Sequence, residues 1–181
     1  MKRPLIVLLL GSIANVAAAA DFALSSTDLQ PNAAIANRFV YKGLGCSGGN
    51  ISPALKWSGA PAGAKSFVLT VHDPDAPNGD AGWWHWAVYN IPANITELAQ
   101  GASNATLPKG AQQGVTDFET PGYGGPCPPQ GHGAHRYNFT VYALKVERLA
   151  IGAHASAVEI NRLAKAHALA QATLTARYER K

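Results

Sequence analysis

The chain has 181 residues, 47% of them hydrophobic and 14% charged, with a formal net charge of +4. That length suits one domain with a real core. The positive charge is too dispersed for a nucleic-acid surface, since no Lys/Arg cluster alternates with aromatics, and two distant cysteines with no CxxC pair argue against a zinc or redox centre.

The first residues read as an export signal. Met1-Lys2-Arg3 is basic, residues 5–16 are apolar apart from Ser12 and Asn15, and Ala18-Ala19-Ala20 supplies the small residues that a signal peptidase reads. Residues 1–20 are therefore expected to be a signal peptide and 21–181 a single periplasmic or secreted domain. The apolar run is too short to be a spanning helix, and no later stretch reaches that length. Without Lys2 and Arg3 the charge falls from +4 to +2. Cys46 and Cys127 lie in Gly/Pro-rich loops of the exported part. An even count in an oxidising compartment favours one disulfide, closing a loop of about eighty residues at roughly 3–4 kcal/mol, with two free thiols as the alternative.

The elements that follow are mostly strands, because short apolar stretches alternate with Gly, Pro, Asn and Asp. Residues 22–26, 38–41 and 55–57 each suit a short strand. Residues 66–72 are near-continuous β-formers, which predicts a strand buried on both faces. Residues 84–91 form the next, with Trp84, Trp86, Val88 and Asn90 expected on one face and His85, Ala87, Tyr89 and Ile91 on the other. Residues 93–113 read as loop and 115–119 as a short edge strand. Residues 120–135, "TPGYGGPCPPQGHGAH", are dominated by Gly and Pro and predict a long ordered loop, a common location for function. Residues 136–146 are the strongest strand. The period then changes: Val158, Ile160, Leu163, Ala164 and Ala168 mark an amphipathic helix over 155–168, with Ser156 and Glu159 as a capping box. Residues 172–178 return to strand. The expected class is mainly β and antiparallel.

Three side chains carry the candidate chemistry. Asp73 ends the buried strand 66–72, His85 sits in the next strand, and His135 joins the Gly/Pro loop to the strongest strand. Singly, an Asp before proline is as well explained by a turn, and each histidine by a structural role. Together they converge, since Asp73 and His85 flank one turn segment and the loop before His135 can fold over the same sheet rim. Glycines of that loop could aim backbone N–H groups at a small anion. Trp83, Trp84, Tyr123 and Tyr137 could wall a pocket.

The motifs "DPDAP", "GWWHWAVYNIP" and "GYGGPCPPQGHGAHRYNFTVYAL", extended by "CSGGNISPALKWSGAPAGAKSFVLTVHDPDAP" and "LAQATLTARYER", resemble the phosphatidylethanolamine-binding protein family. The similar branch is the bacterial Raf-kinase-inhibitor-like, YbhB/YbcL-type one, and an exported form with paired cysteines is most like its YbcL-type members. The resemblance implies a large antiparallel sheet flanked by a smaller sheet and one or two helices. It also implies a rim cavity for a phosphate head group, acetate or a similar anion. Carried over by motif, Asp73, His85, His135 and Tyr137 are the ligand-binding residues, and Pro129 and Trp83 belong to the wall. Where many members have Gly-Pro-Pro, this chain has Gly-Pro-Cys-Pro-Pro, so a Cys46–Cys127 bond would pin the loop.

An ionised Asp73 would repel phosphate, so we expect Asp73 to fix His85 while the imidazoles offer N–H donors to the anion. Affinity should then fall as pH rises through the histidine pKa. The preferred function is binding of a small anion or lipid head group, with a regulatory or inhibitory role and no cofactor. A protease inhibitor or another protein-partner module is the alternative. A hydrolase using His85 and His135 lacks a G-x-S-x-G elbow or evident nucleophile. A metal site of Asp73, His85 and His135, with His132 as a fourth ligand, lacks diagnostic spacing.

Overall fold

The computed structural model describes residues 21–105 and 107–181, so the expected signal peptide lies outside the described residues. Ten strands and one helix follow in order: β1 (Ala23–Ser25), β2 (Lys42–Gly43), β3 (Cys46–Ser47), β4 (Leu55–Ser58), β5 (Ser66–Asp73), β6 (Trp83–Pro92), β7 (Glu97–Leu98), β8 (Gln112–Gln113), β9 (His135–Leu144), α1 (Ala157–His167) and β10 (Ala168–Tyr178). The large sheet has the order β10-β9-β5-β6-β8, and a smaller one the order β1-β4-β7. The pairings within both are antiparallel. The mainly β class with a flanking smaller sheet and one helix is as expected.

The β5 strand is central because its sequence is apolar on both faces. Phe67, Leu69 and Val71 meet Trp86, Phe139 and Val141 and pack towards Leu55, Trp57 and Leu98 of the smaller sheet. Val68 points the other way, with Ala87, Tyr89 and Tyr142, onto Ala157, Ile160 and Ala164 of α1. Two apolar interfaces thus clamp one sheet. Trp57 and Phe67 are each 1% exposed, and truncating either to Ala should cost about 3–5 kcal/mol. The helix starts as its sequence predicts: the Ser156 hydroxyl accepts from the Glu159 amide at 3.2 Å.

Three local expectations are corrected. Residues 38–41 are not a strand: Asn37–Phe39 is a 3-10 turn. Phe39 and Val40 are buried beneath a crossing loop, where the Tyr41 amide donates to the Pro126 carbonyl at 3.1 Å. A Cβ on Gly125 would strike the Phe39 carbonyl, so that crossing requires glycine. The edge strand is β8, at Gln112–Gln113, and Val115 makes only isolated bridges.

The third correction concerns the faces of β6. The register steps from Val71↔Trp86 to His72↔Trp84, leaving His85 as an extra residue in a bulge. A second shift falls between Val88 and Ile91, where Asn90 has a φ of 56°. Alternation therefore resets twice. Trp86, Val88 and Ile91 share one core while Trp84, Ala87 and Tyr89 face the helix side.

Candidate functional site

The end of β5 and the starts of β6 and β9 meet at one rim of the large sheet. Asp73 pairs with Trp83 in register, and His72 with Asn138. His135 and Tyr137 alternate onto the same face of β9, while Arg136 points outward. The bulge turns His85 onto that face too. A cavity of about 250 Å³ opens there, and all six candidate residues line it: Asp73, Trp83, His85, Pro129, His135 and Tyr137. The floor is deeply buried, with Asp73 2%, His85 3%, His135 3% and Tyr137 1% exposed.

The pairing within this floor differs from expectation. The Asp73 carboxylate meets His135 Nδ1 at 2.8 Å, not His85. Its other oxygen accepts the Asp75 amide at 2.8 Å. His85 Nδ1 instead lies 2.6 Å from the Gly124 carbonyl, and the Gly124 amide returns a bond to the His85 carbonyl at 2.8 Å. A carbonyl only accepts, so His85 carries its hydrogen on Nδ1 and presents a bare Nε2. The reason is register: β5 lies between β6 and β9, and the bulge swings His85 towards the Gly/Pro loop.

Burial sets the charge state. It pushes the His85 pKa down to about 4, against partial opposition from the Gly124 carbonyl and the Asp73 charge. Burial and the nearby Asp73 charge push the Tyr137 phenol well up. That phenol is buried and makes no short hydrogen bond, and a longer one to the Asp73 carboxylate adds to the rise.

Asp75 takes the Arg136 amide at 2.8 Å and the Arg136 guanidinium at 2.6 and 2.9 Å. Those hydrogen bonds hold its carboxyl down at about 2. The pair ties the DPDAP loop to the first turn of β9, beside His135.

Other parts of the wall were not anticipated. Phe118 lies edge-on to both His85 and Trp83, at 5.4 and 5.6 Å, and stacks on Tyr41 at 4.4 Å. Gly124 lies hard against that ring, where a Cβ would strike Phe118. Phe118 sits in a polar turn, so no periodicity marked it. Leu44, Asn78 and Pro128 complete the lip with Cys127. Trp84 and Tyr123 are not part of the wall: Trp84 stacks on His72 at 4.2 Å, and the buried Tyr123 hydroxyl donates to Phe39. Three of the five loop glycines do not aim their amides at the cavity, since Gly124, Gly125 and Gly131 donate to His85, Asn50 and Arg180.

Cys46 and Cys127 form a disulfide, which ties the β2–β3 hairpin to the cavity lip. Among the described residues, no group of three or more His, Cys, Asp or Glu side chains is arranged to hold a metal ion. The Asp73 oxygens are engaged by His135 and Asp75, and the exposed His132 lies outside the lining. No helix among the described residues is long and apolar enough to cross a membrane.

Fold and site together define a three-layer antiparallel β protein with a small histidine-floored cavity at one sheet rim. The chain belongs to the phosphatidylethanolamine-binding protein family, whose model matches residues 25–179. It is 43% identical over 182 residues to the UPF0098 protein YbcL of Escherichia coli strain K12, covering 99% of each chain. It is 45% identical over 157 residues to YbhB of the same organism, covering 86% of this chain and 98% of that one. The crystal structure of E. coli YbcL matches with a TM-score of 0.86 at 45% identity, over 90% of this chain and 100% of that chain. A putative homologue from Chlamydia trachomatis matches with a TM-score of 0.74 at 34% identity, over 88% and 98%.

Proposed function

We propose that the rim cavity binds a small oxyanion, such as phosphate or a phosphoethanolamine-like head group, without turning it over. The observation that carries this reading is the convergence of His85, His135 and the Tyr137 hydroxyl on one small cavity, where that hydroxyl makes no short hydrogen bond and only a longer one to the Asp73 carboxylate. A ligand oxygen gives it the short bond it lacks. Asp73 orients His135, in place of the role at His85 expected from the sequence. Both imidazoles then turn Nε2 to the ligand.

An anion beside His85 raises the imidazole pKa from its depressed value of about 4. Binding is therefore coupled to proton uptake. Affinity falls as pH rises through the bound-state pKa and levels off below about 4.

Absence of turnover is part of the proposal. The described lining has no serine or threonine, and Cys127 is bonded to Cys46, so no Ser, Thr or Cys nucleophile is available there. The disulfide also fits an exported, periplasmic or secreted protein. Calorimetric titration with inorganic phosphate tests the reading. A saturable, one-site heat that His135→Ala abolishes supports it, and no heat at millimolar phosphate refutes it.

A further inference from the structure

We infer that the mouth of the cavity is an apolar subsite, centred on Leu44, which makes the site prefer phosphate esters carrying an alkyl chain over bare or methyl-capped phosphate. This rests on the oxyanion reading above and adds the second half of the ligand to it.

Leu44 stands where its residue type is disfavoured. Gly43 pairs with Cys46, so the β2–β3 hairpin turns on two residues, Leu44 and Gly45. Both have positive φ, 51° and 78°, as a type I′ turn requires. The second position carries the usual glycine. The first suits Asn, Asp or Gly, and a leucine there crowds its Cβ against the backbone. Packing does not compensate. Leu44 is 71% exposed, more than any other large apolar side chain among the described residues. An exposed leucine alone is ordinary. One held in a strained turn at the mouth of a cavity points to a contact made outside the fold.

The turn is also held still. The Cys46–Cys127 bond fixes its base to the Gly/Pro loop. On the other side, the Leu44 carbonyl accepts from the Arg180 guanidinium at 3.4 Å. That guanidinium lies so close to Gly45 that a Cβ there would strike it. Arg180 is itself tied to the loop, since its carbonyl accepts the Gly131 amide at 3.1 Å. Leu44 is thus presented on a braced backbone, which lowers the ordering cost of any contact its side chain makes.

The surroundings define that contact. Leu44 lines the cavity with Pro77, Trp83, Phe118 and Pro129. Leu44, Pro77 and Pro129 are exposed, and Trp83 and Phe118 are half-buried, whereas Asp73, His85, His135 and Tyr137 are buried. The floor is therefore polar and the lip is carbon. Neither Lys nor Arg is among the lining residues, so no cation at the lip draws in a bare anion. A ligand that matches both ends has a phosphoryl group for the floor and, on an ester oxygen, a chain that leaves across Leu44. A soluble alkyl ester and a lipid in a bilayer share that chemistry.

Methyl phosphate and n-hexyl phosphate present the same charged end, so calorimetric titration of each into the protein at pH 7 isolates the chain. n-Hexyl phosphate should bind about tenfold more tightly, the gain from covering about two methylenes, and inorganic phosphate should displace it. Leu44→Asn should shrink the preference to about threefold or less. The same variant should raise the Tm by about 2–4 °C, because asparagine suits the turn. Leu44→Gly, which the turn also accepts, repeats the test if the asparagine variant does not fold. Val158→Thr, which alters an exposed apolar side chain of α1, should leave the preference unchanged. Sedimentation with vesicles of phosphatidylethanolamine and phosphatidylglycerol, lost in Leu44→Asn, assigns the chain to a bilayer lipid. n-Hexyl phosphate binding without sedimentation assigns it to a soluble ester, and either result upholds the subsite. Equal affinity for the two esters, n-hexyl phosphate that inorganic phosphate cannot displace, or a preference that survives in Leu44→Asn overturns the subsite and leaves the oxyanion reading intact. Binding of neither ester overturns both.

Discussion

Replacing Tyr137 by phenylalanine should move stability and binding in opposite directions. The phenol is 1% exposed, and its oxygen makes no short hydrogen bond, only a longer one to the Asp73 carboxylate. Removing that oxygen leaves the ring packing of β9 in place, including the edge contact with His85 at 5.1 Å. An unsatisfied buried hydroxyl costs about 1–3 kcal/mol, and the low end applies because Asp73 still bonds it at longer range and the cavity is open at its lip. Tyr137→Phe should therefore stabilise the ligand-free protein by about 1 kcal/mol, a rise of about 2–4 °C in Tm for a domain of this size. It should also weaken phosphate by about 10- to 100-fold, because a hydrogen bond to a charged partner is worth about 1.5–3 kcal/mol. Calorimetric melting and phosphate titration, run on the same preparations, read both effects. A variant that melts lower and binds phosphate with unchanged affinity would refute the reasoning, since the hydroxyl would then have a structural partner and no ligand role.

Other outcomes follow from the same geometry. His85 titrates near 6.5 when unfolded and about 4 when folded, so below pH 6.5 the unfolded chain takes up a proton that the native state refuses. Stability should drop by about 3 kcal/mol between pH 6.5 and 4 and then level off for this group. His85→Gln should remove that slope in urea melts, and an identical slope in the variant would contradict it. Reducing or deleting the Cys46–Cys127 bond, with its sequence separation of 81, should cost about 4.5 kcal/mol on the chain-entropy model, somewhat above the first expectation; an unchanged urea midpoint under reductant would count against it. Ser156→Ala should cost about 1 kcal/mol through the lost cap on α1, measured by urea unfolding. Asp75→Asn should lower stability by less than about 1 kcal/mol, because the partner Arg136 side chain is 49% exposed. That contribution is present above pH 3.8 and lost as pH falls towards 2, so the variant should match the unaltered protein in urea melts near pH 2.

Much of the fold is legible in the sequence because the strands that matter are long and strongly apolar. The 66–72 run declares a central strand, and the 3.6-residue period after Ser156 declares helix α1. The cluster of Asp73, His85 and His135 is legible for a topological reason: two of the three flank a single turn, and the third opens a strand that pairs beside it. The bulges are not legible. Nothing in "GWWHWAVYNIP" says that His85 is an extra residue, yet that insertion sends Trp84 and Trp86 to opposite faces and hands His85 to Gly124. The true partner of Asp73 follows from strand order, which local pattern does not encode. Phe118 and the Gly124 carbonyl act through tertiary contact alone, so no periodicity could reveal them. The Asp75–Arg136 tie is of the same kind, joining residues 61 positions apart.

The most direct test of the account is nitrogen-15 NMR of histidine-labelled protein titrated with inorganic phosphate at pH 6.5. In the free protein, His85 should show a protonated Nδ1 and a bare Nε2. Phosphate should move the Nε2 signals of His85 and His135 together along one saturable curve and leave the exposed His132 and His154 nearly fixed. If His85 and His135 stay unmoved while phosphate reaches saturation elsewhere, the rim cavity is not an oxyanion receptor.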